Sequence, residues 1–216
     1  MVTIYGVGMT RQDRKQREFE RREEDILEAA LSLFSKPNWE SVTIQQIARA
    51  ADVGKGTVYN HFASKDELLF RLMMRFYRGM LVHLKDLPAP DDILQHFKLI
   101  IVSAFRYHLN HREYRYVVEY CNRIDFKERA DEAWHASFFE LDQAFDDWGD
   151  PLVIKAMELG VIEKRPLEQI TIGMHACFKG AIDMLWAGKD WCFHGDEEQI
   201  IESTSAFIMA GFIGQK

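Results

Sequence analysis

The segment TIQQIARAADVGKGTVYNHFASKDELL, Thr43 to Leu69, limits the fold more than any other part of the chain. It offers two helix starts, Thr43 followed by Gln46 and Ser64 followed by Glu67. Each pair can form a capping box, in which a hydroxyl and an amide or carboxylate satisfy free amides of the first turn. Between these starts, Ile47, Ala48, Val53, Val58 and Phe62 are spaced to pin two short helices, about Ile44–Ala50 and about Lys55–His61, against a third. Ala51-Asp52-Val53 makes the turn, and Asp tolerates the left-handed backbone that such a turn often needs. The pattern is that of a helix-turn-helix whose second helix is presented outward.

Gly54-Lys55-Gly56-Thr57 invites a different reading, as a loop around a nucleotide's phosphates. That motif needs a strand before it, a glycine at a fixed distance upstream and Ser or Thr directly after the lysine. Gly56 follows Lys55, and a short helix precedes the stretch. As the start of a helix, the same residues place Lys55, Thr57, Tyr59, Asn60 and His61 on an exposed face. Gly56, lacking a side chain, would let the backbone approach a partner closely.

The remaining sequence predicts helices alone. Ala, Leu, Glu, Lys, Arg, Met and Phe recur at helical spacing, and alternating strand patterns are scarce. A first helix is expected from about Arg22 to Lys36, with Ile26, Ala30, Leu33 and Phe34 inward and acidic residues loading its first turns. A fourth is expected from Ser64 to about Leu84, then others at about 91–110, 112–123, 126–147, 151–160, 167–188 and 196–213. Gly149-Asp150-Pro151, Arg165-Pro166 and Gly195-Asp196 punctuate them. Residues 1–20 read as a flexible basic arm with Arg11, Arg14, Lys15 and Arg17, residues 21–66 as the helix-turn-helix domain and residues 67–216 as a larger helical body.

No apolar run reaches the roughly 18 residues of a membrane span, and the first residues lack the pattern of a secretion signal. Three widely spaced cysteines fit a reducing, cytoplasmic setting better than a disulfide framework. The net charge of −7 does not advertise a nucleic-acid partner, but its distribution is uneven. Residues 1–63 balance nine basic against nine acidic residues, while residues 64–216 carry 18 against 25. A neutral, locally basic head on an acidic body is compatible with DNA binding through the head.

Residues 26–69 resemble the DNA-binding domain of the TetR family of bacterial transcriptional regulators. The matching words are ILEAALSLF and then TIQQIARAADVGKGTVYNHFASKDELL. Thr43, Ile47-Ala48, Val53, Gly56-Thr57, Tyr59, His61-Phe62, Ser64-Lys65 and Leu68 fall in register. Two departures are Asp52 and Gly54, where the family commonly has Gly and Ser. The resemblance implies that Thr43, Tyr59, His61 and Lys65 hold DNA phosphates. It makes Lys55, Thr57 and Asn60 candidates for base edges, allows Gln45 and Gln46 to reach either, and gives Gly56 to close approach.

The same resemblance implies an all-α body with two tasks, dimerisation and ligand sensing. The helices about 167–188 and 196–213 would form the homodimer, through Met174, Phe178, Ala181, Ile182 and Leu185 on one, and Ile200, Ile201, Thr204, Phe207, Ile208 and Gly211 on the other. A mostly apolar effector would meet Phe105, His108, Tyr116, Glu119, Tyr120, Trp134, Phe138, Met174, Cys177 and Phe178. No metal site is expected: His108 with His111, or His175, Cys177, Cys192 and His194, lack the tight paired spacing of zinc ligands. No cofactor loop, nucleophile elbow or paired acid and base is visible, so the chain does not read as an enzyme. The expectation is a repressor that leaves a palindromic operator in double-stranded DNA when a largely apolar small molecule binds. The alternative is a helical adaptor or carrier whose head binds a protein.

Overall fold

The computed structural model describes residues 11–188 and 195–214. Among these residues every regular element is helical and none is a strand. The chain falls into two compact units that divide at Leu72–Met73. No helix is long and apolar enough to cross a membrane.

The first unit holds α1 (Arg11–Phe34), α2 (Ile44–Ala50), α3 (Lys55–His61) and the opening turns of α4 (Lys65–Lys85). Ile26, Leu27, Ala30, Phe34, Ile47, Ala48, Val58, Phe62, Leu68, Leu69 and Leu72 form its buried core. α4 therefore supplies three leucines to the head, and the compact unit extends past the boundary expected at residue 66. α1 begins at Arg11, well before the expected Arg22. The part of the arm at residues 1–10 lies outside the described residues, but residues 11–20 are helical. Their side chains are exposed, and pairs one turn apart support them: Gln16 donates to Glu20 at 2.9 Å and Arg22 to Glu18 at 2.7 Å.

Both expected caps form. Thr43 Oγ1 accepts from the Gln46 amide at 3.3 Å, and Gln46 Oε1 accepts from the Thr43 amide at 2.8 Å. Ser64 Oγ accepts from the Glu67 amide at 3.0 Å, while Glu67 reaches one residue further back, to the Ala63 amide at 2.6 Å. The turn after α2 closes with the Val53 amide on the Ala48 carbonyl at 2.9 Å and the Asp52 amide on the Arg49 carbonyl at 3.3 Å. These are the paired bonds of a Schellman ending, which places its next residue in the left-handed region. Asp52 is that residue, with φ 52°.

The second unit contains the rest of α4, then α5 (Ile93–Asn110), α6 (Arg115–Cys121), α7 (Ile124–Lys127), α8 (Glu132–Glu158), α9 (Leu167–Ala187) and α10 (Glu197–Ile213). α9 and α10 pack on each other, and α5 packs on both. Helices expected at 126–147 and 151–160 are instead one helix, α8, with Pro151 inside it. Asp131 starts it by accepting from the Trp134 amide at 2.9 Å. A proline inside a helix costs about 3 kcal/mol, but beyond it Val153 and Ala156 are buried, and that burial holds the helix through the break.

Because Asp52 occupies a position that favours glycine, Asp52→Gly is expected to stabilise the protein by about 0.5–1 kcal/mol. Urea unfolding measures this, and no gain would mean that the aspartate offsets the strain through a contact of its own.

Candidate nucleic-acid interface and effector cavity

α3 is a helix of 7 residues held down by two fully buried side chains, Val58 and Phe62. It exposes Lys55, Gly56, Tyr59 and Asn60, with Thr57 half-buried. Tyr59 is 48% exposed and lies under the Lys55 ammonium, 5.7 Å from the ring centre. A Cβ built at Gly56 meets nothing within 4 Å. The protein's own packing therefore does not require glycine there. Gln45 is exposed at the start of α2. Gln46 is exposed too, but its carbonyl oxygen is engaged in the cap, where the Thr43 hydroxyl also points at it from 3.0 Å. The Thr43 hydroxyl is thus engaged in its own cap.

Two expected phosphate contacts are placed elsewhere. His61 was expected on the exposed face, yet its side chain is 3% exposed. The extra turns of α1 cover it: Phe19 stacks on its ring at 3.9 Å, and Glu23 Oε2 lies 3.8 Å from Nδ1. Lys65 folds back on its own unit. Its Nζ donates to the Glu40 carbonyl at 2.7 Å and the Trp39 carbonyl at 3.4 Å, over the faces of Phe34 and Trp39. Burial holds this ammonium's pKa below the usual lysine value, against the pull of Glu40 and Asp66. Lys65 is a tether for the short 3-10 turn Trp39–Ser41.

The second unit holds a partly open cavity of about 480 Å³. Tyr77 and Met80 from α4, His108 from α5, Glu119 from α6, Phe138, Leu141 and Phe145 from α8, and Phe178, Ile182 and Trp186 from α9 line it. A neighbouring cavity of about 190 Å³ includes Phe97, Ile101, Met174 and Phe212. Met80, Phe145, His175 and Phe178 belong to both walls. Burial raises the Tyr77 phenol, and a hydrogen bond from Asn122 works against it. Burial also raises the Glu119 carboxyl, opposed by Arg115 and assisted by Asp183.

Of the side chains expected to meet an effector, His108, Glu119, Phe138 and Phe178 line the larger cavity and Met174 the smaller. Phe105 lies behind the wall, fully buried and stacked on Phe178 at 4.3 Å. Tyr116, Tyr120, Trp134 and Cys177 line neither cavity. The Tyr116 hydroxyl accepts from its neighbour Arg115 at 2.8 Å, and the Tyr120 hydroxyl from Arg129 at 3.0 Å. Tyr120 and Trp134 both pack on Phe126, in a separate aromatic cluster around α7. The sequence reading missed Trp186, Asp183 and Phe145. Phe178, Ile182 and Trp186 follow at one-turn spacing on α9, and Phe178 and Ile182 of these fall in the stripe expected at the dimer face.

That stripe faces inward. Ala181, Ile182 and Leu185 of α9 and Ile200, Ile201 and Ile208 of α10 are buried within the chain, and Met174 and Phe178 meet the cavities. An apolar stripe marks the side of a helix that leaves water, and here the chain's own core satisfies it. The outward side of α9 shows Ile172, Gly173, Ala176 and Gly180, and that of α10 shows Ala206, Phe207, Ala210 and Gly211. Phe207 is 69% exposed. Among the described residues no group of three His, Cys, Asp or Glu side chains is placed to hold a metal ion.

Residues 26–72 match the family described as bacterial regulatory proteins, tetR family. The chain is similar to the HTH-type transcriptional regulator TcmR of Streptomyces glaucescens, 33% identical over 38% of this chain and 36% of that protein. It is also similar to the HTH-type transcriptional repressor KstR of Rhodococcus jostii, 34% identical over 39% of this chain and 40% of that one. The match thus spans well under half the length of these relatives. A tetR-family regulator structure from Syntrophomonas wolfei shares the fold over 90% of this chain and 96% of its own, with a TM-score of 0.68 at 17% identity.

Lys65→Ala removes both carbonyl contacts and the aromatic packing. It is expected to destabilise the protein by about 1–2 kcal/mol in urea unfolding. Unchanged stability would return Lys65 to the pool of free surface cations.

Proposed function

We propose that this chain, a member of the TetR family of bacterial regulatory proteins, is a cytoplasmic, homodimeric repressor that leaves its operator when an apolar effector fills the cavity. The observation that carries the reading is α3. Two buried anchors suffice to hold it, and its outward side is given over to Lys55, Gly56, Thr57, Tyr59 and Asn60. Lys55, Thr57 and Asn60 would read base edges in a major groove, while Tyr59, Gln45 and the start of α2 around Thr43 would meet phosphates. One such helix makes too few contacts for tight binding, so two heads related by a two-fold axis would read a palindromic site.

The dimer face in this reading is the outward side of α9 and α10. Gly173, Ala176, Gly180, Ala206, Ala210 and Gly211 would permit close helix approach, and Phe207 would be covered. The regulatory link would be α4, which is continuous from Lys65 to Lys85. Its leucines belong to the head core, and its Tyr77 and Met80 line the cavity. An effector lowers operator affinity only to the extent that it binds the non-binding conformation more tightly.

A gel shift with DNA from upstream of the chain's own gene tests the reading. Sequence-specific retention that is lost on Lys55→Ala or Tyr59→Ala is the expected result. A folded dimer that retains no DNA specifically would point instead to a head that binds protein. Gly56→Ala is expected to leave the fold intact or stabilise it by up to about 1 kcal/mol, because the added methyl meets no protein atom. The same change should weaken operator binding at least tenfold by blocking backbone approach. Full binding by a Gly56→Ala protein would remove the glycine from the interface.

A further inference from the structure

His108 is built into the cavity wall in one fixed state. It is 3% exposed, and its ring is braced by Phe76 at 5.0 Å, Trp186 at 5.3 Å and Phe178 at 5.4 Å. Its Nδ1 lies 2.9 Å from the Ala104 carbonyl, one turn back along α5. A carbonyl can only accept, so Nδ1 carries the proton and Nε2 of the neutral ring is an acceptor. Burial keeps the ring neutral, lowering its pKa to about 4, with the Ala104 bond opposing and His111 adding to the fall. No side chain or backbone group among the described residues donates to Nε2. Nε2 therefore remains open to a donor from the cavity side.

The charges in the wall sharpen the choice. Glu119, Asp142 and Asp183 contribute three carboxylates. Of the two cations, Arg123 is already held by Asp125 through contacts of 2.8 and 3.1 Å, which leaves Lys179. An anionic ligand would meet this acidic wall and, at His108, a lone pair instead of a proton.

We propose that the effector is a neutral, largely apolar molecule bearing a hydroxyl group, an alcohol or a phenol, whose O–H donates to Nε2 of His108, and that the cavity discriminates against the carboxylate of the same skeleton. This rests on the reading of the cavity as the effector site.

The test uses three matched probes with the full chain: naphthalene, 2-naphthol and 2-naphthoate, measured by equilibrium dialysis without DNA. 2-Naphthol is expected to bind about 5- to 10-fold more tightly than naphthalene, the worth of one hydrogen bond, and at least tenfold more tightly than 2-naphthoate. In His108→Phe that preference should vanish while naphthalene binding stays within about twofold. Should His108→Phe not fold, nitrogen-15 NMR of the unmodified protein reads the same contact, since 2-naphthol must shift the Nε2 signal of His108 and leave Nδ1 protonated. Naphthoate binding as tightly as naphthol, a naphthol preference that survives His108→Phe, or an unmoved Nε2 signal each overturns the proposal. If naphthalene itself does not bind, the effector cavity fails with it, whereas naphthalene binding without a naphthol preference sinks the hydroxyl assignment alone.

Discussion

The proposed DNA contact depends on keeping a helix of 7 residues in place. An isolated helix that short is not stable in water, because nucleation costs more than one turn of hydrogen bonds returns. α3 persists because Val58 and Phe62 are fully buried in the head core and because the turn before it is fixed. The turn in turn depends on Asp52 accepting a left-handed backbone. Everything else in the head serves this arrangement. α1 and the leucines of α4 supply the core, the Thr43–Gln46 box starts α2, and Lys65 ties down the turn at Trp39 and Glu40. The outward residues of α3 are then free of structural duty, which is what makes them available to a partner.

The body solves a different problem. Its helices bury most of their apolar stripes against one another, yet leave a space bounded by aromatic side chains and a few polar groups. A cavity of about 480 Å³ lies in the size range of small-molecule sites. The polar groups in the wall have their own constraints. Tyr77 and Glu119 are pushed toward their neutral forms by burial, and His108 is held neutral in one tautomer. An apolar space with a few fixed hydrogen-bonding groups is suited to choosing among small molecules by where they carry a polar group.

Local chemistry was legible in the sequence where neighbours along the chain decide the outcome. Both caps, the turn at Asp52 and the two anchors of α3 follow from residues within a few positions of one another. Partners distant in sequence were not legible. His61 reads as a surface residue until Phe19 is seen to lie on it, and Lys65 reads as a free cation until its carbonyl partners at Trp39 and Glu40 are known. Helical periodicity identified the stripe on α9 but could not say whether its own core or a second chain would cover it. Pro151 misled for the opposite reason, since a local breaker was overridden by the burial of Val153 and Ala156. Asp131, which caps α8 through the Trp134 amide three residues on, is a local signal of the same kind as the other caps. About half of the expected effector contacts reach a cavity wall, because abundance of aromatic residues marks an apolar interior without distinguishing core from cavity.

The central claim is that α3 engages DNA through charge and base contacts from a two-fold pair of heads. Fluorescence anisotropy with a labelled upstream fragment, repeated across salt concentrations, tests it most directly. The account predicts that log Kobs falls linearly with log salt, with a slope that corresponds to several neutralised phosphates. It also predicts that Lys55→Ala narrows the affinity gap between this fragment and a scrambled one, because Lys55 is assigned to base edges. A salt slope near zero, or an affinity gap unchanged by Lys55→Ala, would contradict the account.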